Sequence, residues 1–223
     1  MATTKSTNAK KKQLNDFEIV SLYINDVLEA NQAPKNVFVF CKKHDINESD
    51  FYSFFGSLEV VKKDVWAKFF ENAVSTIEKE PTFTTYSDKN KLLTLYFTLF
   101  EILTLNRSYV LFALIENKEG LKNLKSLTTF RSNFKEYIVA KIKSKPSEPF
   151  GKVAKITEPV LSEGAWLQFL FLLKFWMNDT SKGFEKTDVL IEKSVNTVVD
   201  LLDTKPLESL FDLGKFLWKE KMQ

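Results

Sequence analysis

Turn-forming residues are scarce in this chain, and their scarcity limits the folds that it can adopt. Among 223 residues there are 6 glycines and 6 prolines. Architectures with many strands need a turn residue roughly every ten positions, so the chain favours long helices with short connections. Apolar residues recur at helical spacing, and no run competes as a strand. We therefore expect an all-α protein of about ten helices.

Caps and breakers indicate where the helices begin and end. Asn31 offers a left-handed stop after the first helix, and Pro34 suits the first turn of the second. Asn47 can cap the third helix, with Glu48 and Asp50 in its first turn. The predicted helices span about residues 14–30, 34–45, 47–55, 58–78, 88–105, 109–117, 121–143, 159–177, 189–202 and 206–218. The stretch 92–105 is apolar on nearly every face, so we expect other helices to enclose it.

The aromatic content is high, with 21 Phe, 6 Tyr and 4 Trp. So many rings indicate wide helix interfaces or a cavity that they line. The few polar residues among them either orient a ligand or cap helices: Asn106, Arg107, Arg131, Asn133 and Gln168. For Asn106 we expect a helix cap.

Charge gives only a weak sign of a polyanionic partner. The formal net charge is +3, from 32 basic and 29 acidic residues, and only Arg107 and Arg131 are arginines. Lysine binds phosphate as a point charge and lacks the paired N–H donors with which arginine forms two hydrogen bonds to guanine. Residues 1–12 are polar and include Lys10, Lys11 and Lys12, so we expect a flexible basic arm and no signal peptide.

The sequence lacks the parts of a catalytic or metal centre. Cys41 is the only cysteine and His44 the only histidine, so neither an internal disulfide nor a paired-histidine or CxxC metal site can form. We expect a packed thiol at Cys41 and a partly exposed helix-end histidine at His44. No enzymatic activity, metal or cofactor is predicted. The most apolar run, residues 161–177, falls short of a membrane span, and we expect a cytoplasmic protein.

A motif covers residues 40–61. The segment reads FCKKHDINESDFYSFFGSLEVV and aligns without a gap with the pattern I-A-x-x-A-G-V-S-x-x-T-L-Y-x-x-F-x-S-K-E-x-L. The matching positions are Phe40, Cys41, Ile46, Asn47, Phe51, Tyr52, Phe55, Ser57, Glu59 and Val61. Upstream, Ile19, Val27, Asn31 and Val37 fall at the corresponding first-helix, turn and second-helix positions. In these residues the chain resembles the TetR family of transcriptional regulators.

The resemblance implies a homodimeric, ligand-responsive, DNA-binding transcription regulator. It implies a helix-turn-helix DNA-binding domain over residues 13–60 and a ligand-binding and dimerisation domain of about six to seven helices over 61–223. The residues expected at DNA are Lys35, Lys42, Lys43, Asn47, Ser49, Tyr52 and Ser57. Those expected to line the pocket of a small apolar ligand are Tyr96, Phe97, Phe100, Phe112, Phe130, Phe134, Tyr137, Trp166 and Phe169. Those expected at the dimer interface are Leu172, Phe175, Val195, Val199 and Leu202.

The third helix departs from the family in ways that bear on DNA binding. Glu48 and Asp50 place carboxylates where phosphate would repel them, and Leu58 replaces the lysine of the pattern. Up to Val61 the chain has seven lysines and eight carboxylates, whereas a DNA-reading domain is normally basic. An alternative therefore stays open: a TetR-fold protein with weakened or lost DNA binding that binds a hydrophobic lipid or isoprenoid-like ligand.

Overall fold

The computed structural model describes residues 14–115, 125–142 and 158–202. Across these ranges the regular elements are helices, which confirms the all-α prediction. The α-helices are α1 (Asp16–Ala30), α2 (Val37–Lys43), α3 (Glu48–Tyr52), α4 (Leu58–Glu78), α5 (Asp88–Leu105), α6 (Arg107–Ile115), α7 (Thr128–Lys141), α8 (Glu158–Asn178) and α9 (Glu185–Leu202). The predicted arm over residues 1–12 and the predicted helix over 206–218 lie outside the described residues.

The chain divides into two compact units, one ending at Val65 and the other beginning at Trp66. We call the first unit the head and the second the body. Helix α4 contributes its first residues to the head and its remaining residues to the body. The domain limits predicted from the sequence remain a prediction.

Two asparagines determine where the helices of the head begin. The Oδ1 atom of Asn15 accepts a hydrogen bond from the Glu18 amide at 2.9 Å, and that of Asn36 accepts one from the Val39 amide at 2.9 Å. Each side chain thereby satisfies an otherwise unpaired amide in the first turn. The prediction that Pro34 opens α2 is wrong, because Asn36 is the N-cap and the helix begins at Val37.

One left-handed residue ends the first helix of the head, and another lies in the turn that follows the second. Asn31 closes α1 with φ 49°, which confirms the predicted stop. Asp45, in the turn between α2 and α3, has φ 53° and occupies the glycine position of the TetR pattern. Short polar side chains tolerate this conformation better than other non-glycine residues do. The turn therefore adopts a left-handed residue here without glycine.

The core of the head is built around two phenylalanines. Phe40 from α2 and Phe51 from α3 are both fully buried, and their ring centroids lie 5.9 Å apart. From α1, Ile19 and Val27 are also fully buried. These positions carry the family resemblance, because they hold the three short helices together.

The body is a helical bundle in which α7 packs along α8 and α9 packs along both α5 and α8. Helix α5 is largely enclosed, as its apolar composition predicted: Leu95, Tyr96, Leu99 and Leu103 have no exposed surface. Its C-terminal Leu105 is an exception and is 78% exposed. Asn106 caps α5, and its Nδ2 atom donates to the Ile102 carbonyl oxygen at 2.9 Å, as predicted.

Arg107 fastens α6 to the end of α8. Its guanidinium donates to the carbonyl oxygens of Trp176 and Met177 in the last turn of α8, each at 3.0 Å. The Trp176 oxygen also accepts from the Asp179 amide at 3.1 Å. It also lies 4.4 Å from the ring centroid of Trp176 and 4.5 Å from that of Phe184. Arg107 is therefore a helix cap, one of the two roles that the sequence left open for it.

Asp179 organises the turn between α8 and α9. Its Oδ1 atom accepts from the Ser181 amide and hydroxyl at 2.9 and 2.7 Å, and its Oδ2 atom accepts from the Thr187 amide and hydroxyl at 3.0 and 2.7 Å. Burial raises the pKa of the Asp179 carboxyl, but the hydrogen bonds from Ser181 and Thr187 outweigh it and bring the pKa to about 2. The carboxylate thus stays charged at neutral pH and orients the first turn of α9.

None of the described helices is by itself long and apolar enough to cross a membrane. Helices α5 and α6 meet that criterion only when taken together, across a bend of 89°.

Candidate functional site

The part of the head that the sequence predicts to meet DNA carries exposed side chains. Ser49 is exposed, and Tyr52 is 51% exposed. Asn47 is the N-cap of α3, yet its side chain makes no capping bond, because the Nδ2 atom donates to the Asp50 carboxylate at 2.9 Å. Ser57 instead helps to cap α4, with its hydroxyl oxygen 3.3 Å from the Val60 amide.

Among the three lysines predicted at DNA, Lys43 is already engaged. Its Nζ atom donates to Asp26 at 2.6 Å and to Glu29 at 3.0 Å, both on α1. These hydrogen bonds raise the pKa of Lys43. Its positive charge is therefore largely balanced within the head, and a phosphate would have to compete with two carboxylates.

Lys35 and Lys42 are exposed and have no carboxylate partner among the described residues. The Lys42 ammonium lies 5.9 Å from the ring centroid of Phe38. Over residues 14–65 the head has five lysines and nine carboxylates. The described head surface is therefore net acidic, with two lysines free to meet phosphate among those predicted.

His44 and Cys41 belong to the packing of α2. His44 is the C-cap of α2, its side chain is 14% exposed, and its Nε2 atom lies 3.0 Å from Asp26 Oδ2. Cys41 is buried, and burial, followed by the charge of Glu48, raises the pKa of its thiol. Across the described residues no group of three or more His, Cys, Asp or Glu side chains could hold a metal ion.

Five of the nine aromatics predicted to line a ligand pocket pack against one another in the body. Phe130, Phe134, Trp166 and Phe169 have ring centroids 5.0 to 6.1 Å apart. Tyr96 stacks on Phe134 at 6.3 Å and donates its hydroxyl to the Ala165 carbonyl oxygen at 2.8 Å. All five are buried, and they fill the space between α5, α7 and α8 with rings.

The other four predicted pocket residues are spread over the body, although the ring of Phe100 also lies 5.9 Å from that of Phe169. Phe97 and Phe100 border a cavity of 300 Å³ beside Trp176 and Phe184, and Phe112 is half-buried on α6. Only Tyr137 borders the wider groove between α4 and α7. That groove has a volume of 580 Å³ and is lined by Phe70, Glu71, Val74, Ser75, Glu78, Lys79, Asn133, Glu136, Tyr137 and Ala140.

Tyr137 is the most unusual group in this groove. It is 7% exposed, and its buried hydroxyl has no hydrogen-bond partner among the described residues. Burial and then the charge of Glu78 raise the pKa of Tyr137 to about 12. Buried polar groups are normally paired, so this hydroxyl has an unused capacity to donate or accept a hydrogen bond.

A second cavity adjoins the groove. It has a volume of 540 Å³, and Glu78 and Ala140 line both spaces. The Glu78 carboxylate pairs with Lys141 at 2.9 Å, and both side chains are nearly half exposed. Such an exposed ion pair contributes little to stability, so its opening costs little.

The residues predicted at the dimer interface fall into two groups. Leu172 and Val195 are fully buried and Val199 is buried, so all three belong to the chain's own core. Phe175 is 38% exposed, and it continues a face of α8 on which Leu167 is 63% and Phe171 55% exposed. Leu202 is the last residue of α9. Exposed apolar side chains also occur on other described helices, but on α8 three of them lie one helical turn apart.

Sequence reasoning missed the α4 side of the groove. Phe70 and Val74 lie on the stripe that helical spacing marks as buried, but spacing along one helix does not reveal which helix packs against it. The charged residues Glu78 and Glu136 read as ordinary solvated positions in the sequence. Only the juxtaposition of α4 and α7 shows that they share a groove.

Residues 91–217 match the family model described as the tetracyclin repressor-like, C-terminal domain. The match covers more than half of the chain and includes α5 and the later helices of the body. The comparison with curated proteins found no match.

Proposed function

Because the chain belongs to the tetracyclin repressor-like (TetR) family, we propose that it is a ligand-responsive transcriptional regulator that acts as a homodimer and contacts DNA through its head. One observation carries the proposal: the head retains the helix-turn-helix, with Phe40 and Phe51 packed in its core and Ser49 and Tyr52 exposed on α3. The body supplies the ligand site. Binding of an apolar ligand changes the separation of the two heads, because the ligand fits one arrangement better than the other.

DNA binding is tested by electrophoretic mobility shift with the chain's own upstream DNA, at low and at moderate salt. We expect a shift at low salt that weakens steeply as salt rises, since phosphate contacts release counterions. The double variant Glu48→Lys with Asp50→Lys should bind unrelated DNA more tightly, because it replaces two repelled carboxylates. Absence of a shift at both salt concentrations would contradict DNA binding.

Homodimerisation is proposed through the exposed face of α8. Leu167, Phe171 and Phe175 form a contiguous helical stripe, and apolar surface of this kind commonly marks an interface. In sedimentation velocity we expect twice the chain mass for the natural protein and a monomer for Phe171→Glu. The control is Leu105→Glu, which alters a more exposed leucine on α5 and should leave the dimer intact. A dimer that survives Phe171→Glu would place the interface elsewhere.

A second function is favoured by the acidity of the head. Nine carboxylates against five lysines over residues 14–65, together with the engagement of Lys43 by Asp26 and Glu29, support a protein that kept the TetR fold and lost DNA binding. Such a protein would carry a hydrophobic lipid or isoprenoid-like molecule in the body. Native mass spectrometry of the protein isolated from cells would then reveal a bound apolar molecule, while the mobility shift would be absent at every salt concentration.

A further inference from the structure

The groove between α4 and α7 contains more negative than positive side chains. Glu71, Glu78 and Glu136 line it, against one lysine, Lys79. Two of these carboxylates have lysine partners, since Lys68 bonds Glu71 at 3.1 Å and Lys141 bonds Glu78 at 2.9 Å. Glu136 accepts only from the Ser132 hydroxyl, at 3.1 Å, within the part of the chain that the structure describes. Its negative charge therefore remains available to a ligand.

The unpaired hydroxyl of Tyr137 lies on the residue next to Glu136. It is buried and has no partner among the described residues, and a phenol oxygen can accept a hydrogen bond from an N–H group. The rings of Phe70 and Tyr137 also border the groove, but they are nearly buried and pack edge to face with centroids 5.9 Å apart, so they add apolar wall. A carboxylate and an unused hydrogen-bond acceptor at one groove are groups that an ammonium group recognises.

The rest of the wall is apolar. Phe70, Val74 and Ala140 contribute hydrocarbon surface, and a groove of 580 Å³ accommodates a molecule of drug-like size. A ligand that satisfies both parts of the wall has a hydrocarbon body and a positively charged end.

We propose that this groove binds an amphiphilic organic cation, whose ammonium group bonds Glu136 and Tyr137 while its apolar body lies on Phe70, Val74 and Ala140. The assignment rests on the proposed function in one respect, because it names the ligand class of the ligand-responsive body. Ammonium N–H groups donate to the Glu136 carboxylate and to the Tyr137 oxygen. Lys79, the one lysine that lines the groove, reduces the groove's preference for cations over anions. An anionic ligand would have to bind beside Lys79.

Isothermal titration calorimetry on the full chain tests the charge preference with four probes that share an eight-carbon chain: octylammonium, octyltrimethylammonium, 1-octanol and octanoate. We expect octylammonium to bind at least tenfold more tightly than 1-octanol or octanoate. Octyltrimethylammonium should lie between them, because it carries the charge but no N–H donor. Equal affinity for the charged and neutral probes, or tightest binding of octanoate, would overturn the proposal.

Variants locate the site. Glu136→Gln should weaken octylammonium at least tenfold and leave 1-octanol unchanged. Tyr137→Phe should weaken octylammonium several-fold but not octyltrimethylammonium, a difference that a general loss of folding would not produce. The matched control Glu192→Gln removes an exposed carboxylate on α9 and should change neither. If Glu136→Gln behaves like Glu192→Gln, the cation does not bind in this groove.

Failure of this assignment and failure of the proposed function give different results. If octylammonium binds with the expected variant pattern but the protein shifts no DNA, the cation site is supported and regulation through DNA binding is contradicted. If the protein shifts DNA, other apolar molecules reverse that shift and octylammonium does not bind, the regulator proposal is supported and the cation site is contradicted.

Discussion

At the scale of single residues, the described part of the chain holds three side chains in left-handed backbone conformations: Asn31, Asp45 and Phe184. Asn31 and Asp45 carry short polar groups that tolerate such angles, whereas a bulky aromatic residue at φ 63° is an outlier. Phe184 keeps this conformation because its ring packs on the Arg107 guanidinium and on Trp176. The contacts of the Phe184 ring thus offset the steric cost of its left-handed backbone conformation.

Replacing Asp45 with glycine should stabilise the head. Glycine adopts φ 53° without the steric cost of a Cβ atom. Because glycine also gives the unfolded chain more conformational entropy, we expect a net rise of only about 0.5 kcal/mol in the free energy of unfolding. Asp45→Ala should lower it by about 1 kcal/mol. Thermal unfolding followed by circular dichroism measures both. A glycine variant less stable than the natural protein would show that the Asp45 carboxylate has a stabilising role of its own.

The two arginines of the chain provide a matched pair. Arg107→Lys keeps the charge but loses the stacking and one of two helix-end hydrogen bonds, so we expect a loss of about 2 kcal/mol in the free energy of unfolding. Arg131 forms a half-exposed ion pair with Glu163 at 2.8 Å, and Arg131→Lys should cost less than about 1 kcal/mol. Urea denaturation of the two variants compares them, and equal losses would contradict the role assigned to Arg107.

At the scale of elements, spacing and capping predicted most helices of the described chain, because both signals are local. Asn31 ended α1 as expected and Asn106 capped α5 as expected. The start of α2 was misplaced because Pro34 and Asn36 are both plausible starts, and the side-chain bond of Asn36 prevailed. Asn47 is the N-cap of α3 as expected, but the helix was predicted too long at its C-terminal end, since aromatic residues beyond Tyr52 continue the apolar pattern without continuing the helix.

The junction of α8 and α9 should respond to acid. The folded pKa of Asp179, about 2, lies below its ordinary value of 3.8, so its contribution to stability is complete above pH 4 and is lost as pH falls toward 2. Asp179→Asn should lower the free energy of unfolding by about 2 kcal/mol at pH 7, because the amide keeps one acceptor oxygen and faces the donors of either Ser181 or Thr187 with an NH₂ group. The difference between the natural protein and the variant should shrink between pH 4 and pH 2 in urea titrations. A difference that does not vary with pH would mean that the carboxylate charge is irrelevant.

At the scale of the whole molecule, the sequence predicted the family, whereas the residues of its DNA, ligand and dimer sites stay predictions. The helix-turn-helix signature and the match over residues 91–217 agree on the family. The aromatic residues expected to line the pocket mostly pack on one another, because a list of rings does not reveal whether they enclose space or fill it. The groove beside Tyr137 depends on which helices are neighbours, and that information is not local.

The lysines of the head should differ in their effect on DNA binding. Lys42→Ala should reduce the slope of log affinity against log salt by about 0.9, the value for one lost phosphate contact. Lys43→Ala should leave that slope nearly unchanged, because its charge is balanced by Asp26 and Glu29. Fluorescence anisotropy with labelled duplex DNA across a salt series measures both slopes. Equal reductions would mean that Lys43 leaves its carboxylate partners when DNA is present.

The bonds from Lys43 to Asp26 and Glu29 also make the charge at the end of α2 depend on α1, a helix outside the motif of residues 40–61. Asp26 and Glu29 determine whether Lys43 is offered to a polyanion. Neutral amides at these two positions would release a cation at the end of α2 without any change in the motif. A family of related chains could therefore gain or lose affinity for nucleic acid through α1 alone, while the segment by which the family is recognised stays constant.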